Sequence, residues 1–124
     1  MKKAQHALSE SGILYVAVPD AFHPTRSLRS DFFRTVHISY FSKISLSNLL
    51  KKAGLEVQYL SEGDQYDTGE IFAICKKGNP SDITIDPSQF DLQKKIYTQR
   101  AKTDLYYEIK GWLISILRKL HLLK

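Results

Sequence analysis

Hydrophobic positions in this chain fall mostly into short runs between polar turns, with one long stripe near the C-terminus. Residues 12–20, Gly-Ile-Leu-Tyr-Val-Ala-Val-Pro-Asp, are uncharged up to Asp20, opened by Ser11-Gly12 and closed by Pro19. A run that short, rich in β-branched side chains and bounded by turn residues, predicts a strand buried on both faces. Such strands are typical of parallel sheets covered by helices. Pro19 has no N–H to give a ladder, so the strand ends there. In open α/β sheets ligands bind beyond the carboxyl ends of the strands, which makes Asp20 and the following loop the first place to look for a site.

On either side of that run the periodicity changes. Residues 4–10 read as the last turns of a helix, with Gly12 as its C-terminal cap. Residues 21–34 form a long loop mixing aromatics with Arg26, Arg29 and Arg34, a length that in compact domains often serves function. After Thr-Val-His-Ile-Ser-Tyr-Phe-Ser at 35–42 comes a helix signal. Ser45 is its expected N-cap, Leu46, Leu49 and Leu50 its apolar stripe, Lys51 and Lys52 its dipole partners, and Ala53-Gly54 its end. Residues 55–60 alternate Leu, Val and Tyr with Glu and Gln, which predicts a half-buried strand. A polar turn at 62–69 leads to an apolar strand at 71–75, and the two strands most simply make an antiparallel hairpin. Residues 79–88, with two of the four prolines, read as a linker. Ser88 or Asp91 is the expected cap of a long helix whose stripe is Leu105, Ile109, Trp112, Leu113, Ile116, Leu117 and Leu120. Gly111 weakens that helix by about 1 kcal/mol relative to Ala.

Length and composition narrow the options. A chain of 124 residues makes one modest domain, here read as an α/β unit at 1–78, a linker at 79–88 and a helical extension at 89–124. The net charge of +5 permits an anionic partner without requiring one. Its excess is local, with Lys110, Arg118, Lys119 and Lys124 following the last acid, Glu108. The lysines are otherwise scattered over helix ends and turns without an aromatic-basic platform, so a nucleic-acid partner is not expected. A single cysteine, Cys75 in an apolar run, allows no disulfide framework or thiolate metal cluster and fits a reduced, cytoplasmic setting. The N-terminus lacks the apolar core of a signal peptide, and no run approaches membrane-spanning length.

Four stretches together resemble the C-terminal half of class I S-adenosylmethionine-dependent methyltransferases. They are Gly-Ile-Leu-Tyr-Val-Ala-Val-Pro-Asp at 12–20, His-Ile-Ser-Tyr-Phe-Ser at 37–42, Ser-Leu-Ser-Asn-Leu-Leu-Lys-Lys-Ala-Gly-Leu-Glu-Val at 45–57, and residues 70–77. The resemblance covers residues 8–78 and implies part of a doubly wound, Rossmann-like sheet. It implies the fifth strand, a substrate-side loop, the helix before the sixth strand, and a last strand inserted antiparallel between its two predecessors. The family binds its cofactor through a glycine-rich turn after the first strand, an acidic residue ending the second, and residues around the fourth. Here the glycines stand at 12, 54, 63, 69, 78 and 111, no two separated by a single residue. The resemblance therefore implies a substrate-side fragment: S-adenosylmethionine serves the complete enzyme and is not expected to bind this chain alone. It further implies a small-molecule or glycan acceptor, and as partners an N-terminal half or a second copy of the chain.

Within that resemblance His37 falls on the loop facing the methyl acceptor, where a neutral imidazole takes a proton or orients a hydroxyl. The competing reading is a histidine that hydrogen-bonds backbone and holds the loop. Asp20 lines the same crevice, or caps a turn. Tyr40 and Phe41, with Phe22, Phe32 and Phe33, wall an apolar acceptor pocket or else belong to the core. Substrate binding is thus assigned to Asp20, His37, Tyr40 and Phe41, and no catalytic residue is assigned. Arg26, Arg29 and Arg34 are candidates for gripping a phosphate or carboxylate, or are simply solvated. His6 and His23 have no partner at metal-ligand spacing. Cys75 should be inert. A different class of function stays open: a non-catalytic module whose basic amphipathic helix at 106–124 binds a partner or a membrane surface.

Overall fold

The computed structural model describes residues 1–25, 27–28, 32–33, 37–63 and 68–119. Its elements are α1 (Lys2–Ala7), β1 (Ile13–Pro19), α2 (Lys43–Lys52), β2 (Leu55–Leu60), β3 (Glu70–Lys77) and α3 (Ser88–Lys119). The described strands form one sheet in the order β1-β3-β2, with β3 antiparallel to both neighbours. β1 and β2 therefore point the same way, and the β2–β3 hairpin follows the expected pairing. The architecture is α/β, a small three-stranded sheet with helices. Among the described residues, α2 covers one face of the sheet, and Ile13 and Tyr15 on the other are exposed.

That difference corrects the expectation for β1. Leu14, Val16 and Val18 turn toward the core, but Ile13 and Tyr15 on the opposite face are 63% and 60% exposed. An uninterrupted apolar run does not reveal whether both faces have something to pack against. The covered face is built by α2. Leu46, Leu50 and Ala53 pack on Leu55, Ile71, Ala73 and Cys75, with Leu8, Phe41, Val57 and Leu60 at the margin. β2 also departs from strict alternation. Val57 faces Cys75 but Tyr59 faces Ile74, so a bulge at Gln58 sends Tyr59 to the open face and returns Leu60 to the core.

Local chemistry explains the boundaries. α2 starts three residues earlier than the leucine stripe predicts: Ser42 is the N-cap and Ser45 sits at N3. The Ser45 N–H donates to Ser42 Oγ (3.1 Å), and the Ser42 N–H donates to Ser45 Oγ (2.8 Å). The helix ends at Ala53, and Gly54 takes φ 76°, which a side chain would oppose. α1 stops at Ala7 and is capped at Leu8, so Gly12 is not its cap. The cap of α3 is neither Ser88 nor Asp91. Asp86 Oδ1 accepts both the N–H (3.0 Å) and the hydroxyl (2.7 Å) of Ser88, which pull the Asp86 carboxyl below its ordinary range. Upstream of Asp86, Asn48 exchanges two hydrogen bonds with the Thr84 backbone, strapping this irregular stretch along α2.

Candidate functional site

Beyond the carboxyl end of β1 the chain makes its densest polar constellation. The Asp20 N–H donates to Gly69 O, and the flanking Pro19 and Ala21 pair with Phe41, so the backbone at Asp20 is gripped from two sides. Its side chain is 2% exposed. One oxygen accepts the Phe22 N–H (2.8 Å), an Asx turn that folds the chain back on itself. The other oxygen meets His23 Nδ1 at 2.5 Å. In neutral imidazole one ring nitrogen donates and the other accepts, so a His23 that gives its Nδ1 proton to the carboxylate presents the Nε2 lone pair outward. The His23 side chain is 42% exposed, so this second nitrogen is within reach of a ligand.

Two glycines make room for the pair. Gly63, in the loop after β2, is buried against it, and a Cβ there would overlap Asp20 Oδ2 and His23 Nδ1. Gly69, at φ 69°, would carry a Cβ into Thr25 Oγ1. The loops after β1 and β2 and before β3 therefore close on one point. A buried carboxylate that orients an imidazole and fixes its tautomer is the arrangement that lets histidine act as a general base.

The other expected site residues lie around this point without joining it. Phe41 bridges to Asp20 through the backbone and packs its ring at the core margin. The Tyr40 hydroxyl donates to Phe32 O at 2.5 Å, and its ring packs tilted against Phe32 and edge-on to Phe33, with centroids 4.9 and 5.3 Å apart. Tyr97 of α3 completes the cluster, so these aromatics fasten the loop to α3. Burial pushes the Tyr97 phenol up from its ordinary range, against a lowering hydrogen bond from Gln93. His37 is exposed, its ring 5.9 Å from that of Tyr40. Arg26, Arg29 and Arg34 lie outside the described residues.

Sequence reasoning weighed His23 only as a metal ligand and so missed its pairing. The available signal was Asp-x-x-His directly after a strand end, where an Asx turn returns residue i+3 to residue i. Among the described residues no cluster of three or more metal-binding side chains occurs, and no helix is long and apolar enough to cross a membrane.

His23 opens onto two grooves. One, of about 310 Å³, runs between Asp20, Phe22, Ser42, Lys43 and Leu92. The larger, of about 510 Å³, lies between the loop after β1 and α3. Its α3 wall carries Arg100, whose Nε stands 3.4 Å from Asp104 Oδ1 while Asp104 Oδ2 accepts the Leu28 N–H at 2.7 Å. No protein-family model, curated protein or solved structure matches this chain.

Proposed function

We propose that this chain supplies the substrate side of an S-adenosylmethionine-dependent methyltransferase acting on a small molecule or glycan, with His23 and Asp20 as its proton-accepting pair. The observation that carries the reading is the Asp20–His23 pair beyond the carboxyl end of β1, in a sheet ordered β1-β3-β2 with an antiparallel central strand. The spaces beside Gly63 and Gly69 are taken up by Asp20, His23 and Thr25, so neither glycine at this site offers a cradle to the methyl donor. The donor is held by a second polypeptide or a further segment, and this chain alone does not bind it tightly.

On this reading His23 Nε2 accepts the proton of the acceptor's hydroxyl or amine, and the resulting imidazolium is stabilised by the Asp20 carboxylate at Nδ1. Phe22, which lines both grooves beside His23, helps position the acceptor, and positioning is most of what methyl transfer asks of the protein. The coding DNA next to this gene tests the reading: on either side and in any frame, it should encode an apolar strand followed by a glycine-rich turn. Co-expressed with that product, the chain should transfer labelled methyl groups, and His23→Ala should lower the rate about 10²–10⁴-fold. No such coding stretch, or undiminished transfer by His23→Ala, would end the proposal.

One feature favours the alternative interaction module. Leu105, Ile109, Trp112 and Leu113 of α3 remain exposed, an apolar surface available to a partner or a membrane. Absence of binding to anionic vesicles at low salt would eliminate the membrane form.

A further inference from the structure

The groove between the loop after β1 and α3 carries two functional groups of opposite chemistry on facing walls. His23 stands on the loop side with its Nδ1 against Asp20, so in the neutral imidazole the nitrogen left to the groove is an acceptor. Arg100 stands on the α3 side. Its Nε is buried and makes no hydrogen bond, although Asp104 Oδ1 pairs with it at 3.4 Å while the other Asp104 oxygen accepts from Leu28. Among the described residues, the partner recorded for the guanidinium is the Asp104 carboxylate. Arginine donors left unmade at a groove wall are costly unless something else accepts from them. Phe22 and Ile96 provide apolar wall between the two groups, with Thr25 and Gln99 at the polar margin. The volume of about 510 Å³ suits a small organic molecule.

We infer that this groove binds a hydroxy acid: an acceptor whose hydroxyl donates to His23 Nε2 and whose carboxylate or phosphate lies against the Arg100 guanidinium. Arginine matches a planar carboxylate with two parallel N–H donors, which fixes orientation as well as charge. Asp20 and Asp104 are the acids nearest the two groups. Asp104 offsets part of the guanidinium charge, so affinity for a single carboxylate is modest and specificity comes from the two-point fit. Arg100 is a binding residue in this scheme, and His23 serves both binding and proton removal. The inference narrows the acceptor of the methyl-transfer reading and rests on it only for the direction of the chemistry, since binding requires no methyl donor.

The test uses the full chain labelled with 15N and titrated with 4-hydroxybenzoate, following the His23 ring nitrogens and the Arg100 Nε–H by NMR. Saturable shifts at both residues are expected in the low-millimolar range. Phenol, which lacks the anion, and benzoate, which lacks the hydroxyl, should each bind several-fold more weakly. Arg100→Gln should weaken 4-hydroxybenzoate binding about tenfold or more. Arg100→Lys keeps a cation beside Asp104 but loses the fork, and should fall in between. Absence of saturable shifts in the unmodified chain would overturn the inference. So would benzoate binding as tightly as 4-hydroxybenzoate, or undiminished binding by both Arg100 variants. Binding without methyl transfer by the co-expressed pair counts against the enzyme reading and leaves the groove assignment standing.

Discussion

The two faces of the sheet are made from similar residues and meet opposite fates. On one face Leu55, Ile71, Ala73 and Cys75 are sealed under Leu46 and Leu50 of α2, all but inaccessible. On the other, Tyr15, Phe72 and Tyr59 form a row across all three strands, with ring centroids 5.3 and 5.6 Å apart, and Tyr15 remains 60% exposed. β1 is at the same time the edge of the described sheet, so its outer backbone groups have no ladder there. An apolar, aromatic face beside an open edge is a surface on which another layer can pack. The lesson is that an apolar strand pattern specifies a demand for cover, not the cover itself.

The largest expected effect comes from breaking the covered face. Leu50→Ala should cost about 2–5 kcal/mol, read as a lower denaturant midpoint, because its contacts cannot be replaced without a cavity. A loss below about 0.5 kcal/mol would mean that α2 does not seal the sheet. Next comes the rim where both faces meet the site. Gly63→Ala should cost about 1–3 kcal/mol, since the added methyl overlaps the Asp20–His23 pair and must push it apart. His23 ring NMR would register the displacement, and an unchanged spectrum would remove the close approach.

A smaller effect separates the faces by pH. Burial raises the Cys75 thiol above its ordinary value of 9.0, so the folded state holds this proton more tightly than the unfolded chain. That contribution is complete below pH 9.0 and fades as the pH climbs through the folded value. Cys75→Ala should therefore flatten part of the alkaline loss of stability, and thiol reagents should label Cys75 slowly until denaturant is added. Rapid labelling of the native chain would show the covered face to be open. The smallest effect is expected at Tyr15. Tyr15→Ser should change stability by about 0.5 kcal/mol or less while reducing self-association and binding of hydrophobic dyes. A cost comparable to that of Leu50→Ala would show that the exposed face is covered in solution.

Much of the local structure was legible in the residues. The strand at 13–19, the leucine stripe of α2, the left-handed turn at Gly54 and the antiparallel hairpin follow from short-range sterics, periodicity and capping chemistry, which act within a few residues. Asp20 was legible as a position, because Pro19 ends the strand and the chain must turn there. What only the tertiary structure decided was which neighbours those elements receive. The exposure of Tyr15, the bulge that turns Tyr59 outward and the capping of α3 by Asp86 depend on register and on packing partners. The pairing of His23 with Asp20 needed the Asx turn and the empty space at Gly63, and the approach of Arg100 to the same groove needed Tyr97 to dock α3 against the loop. Those contacts join residues as much as 76 positions apart, as between Leu28 and Asp104. No local propensity encodes them, because each depends on the chain first closing a compact core around Leu46 and Leu50.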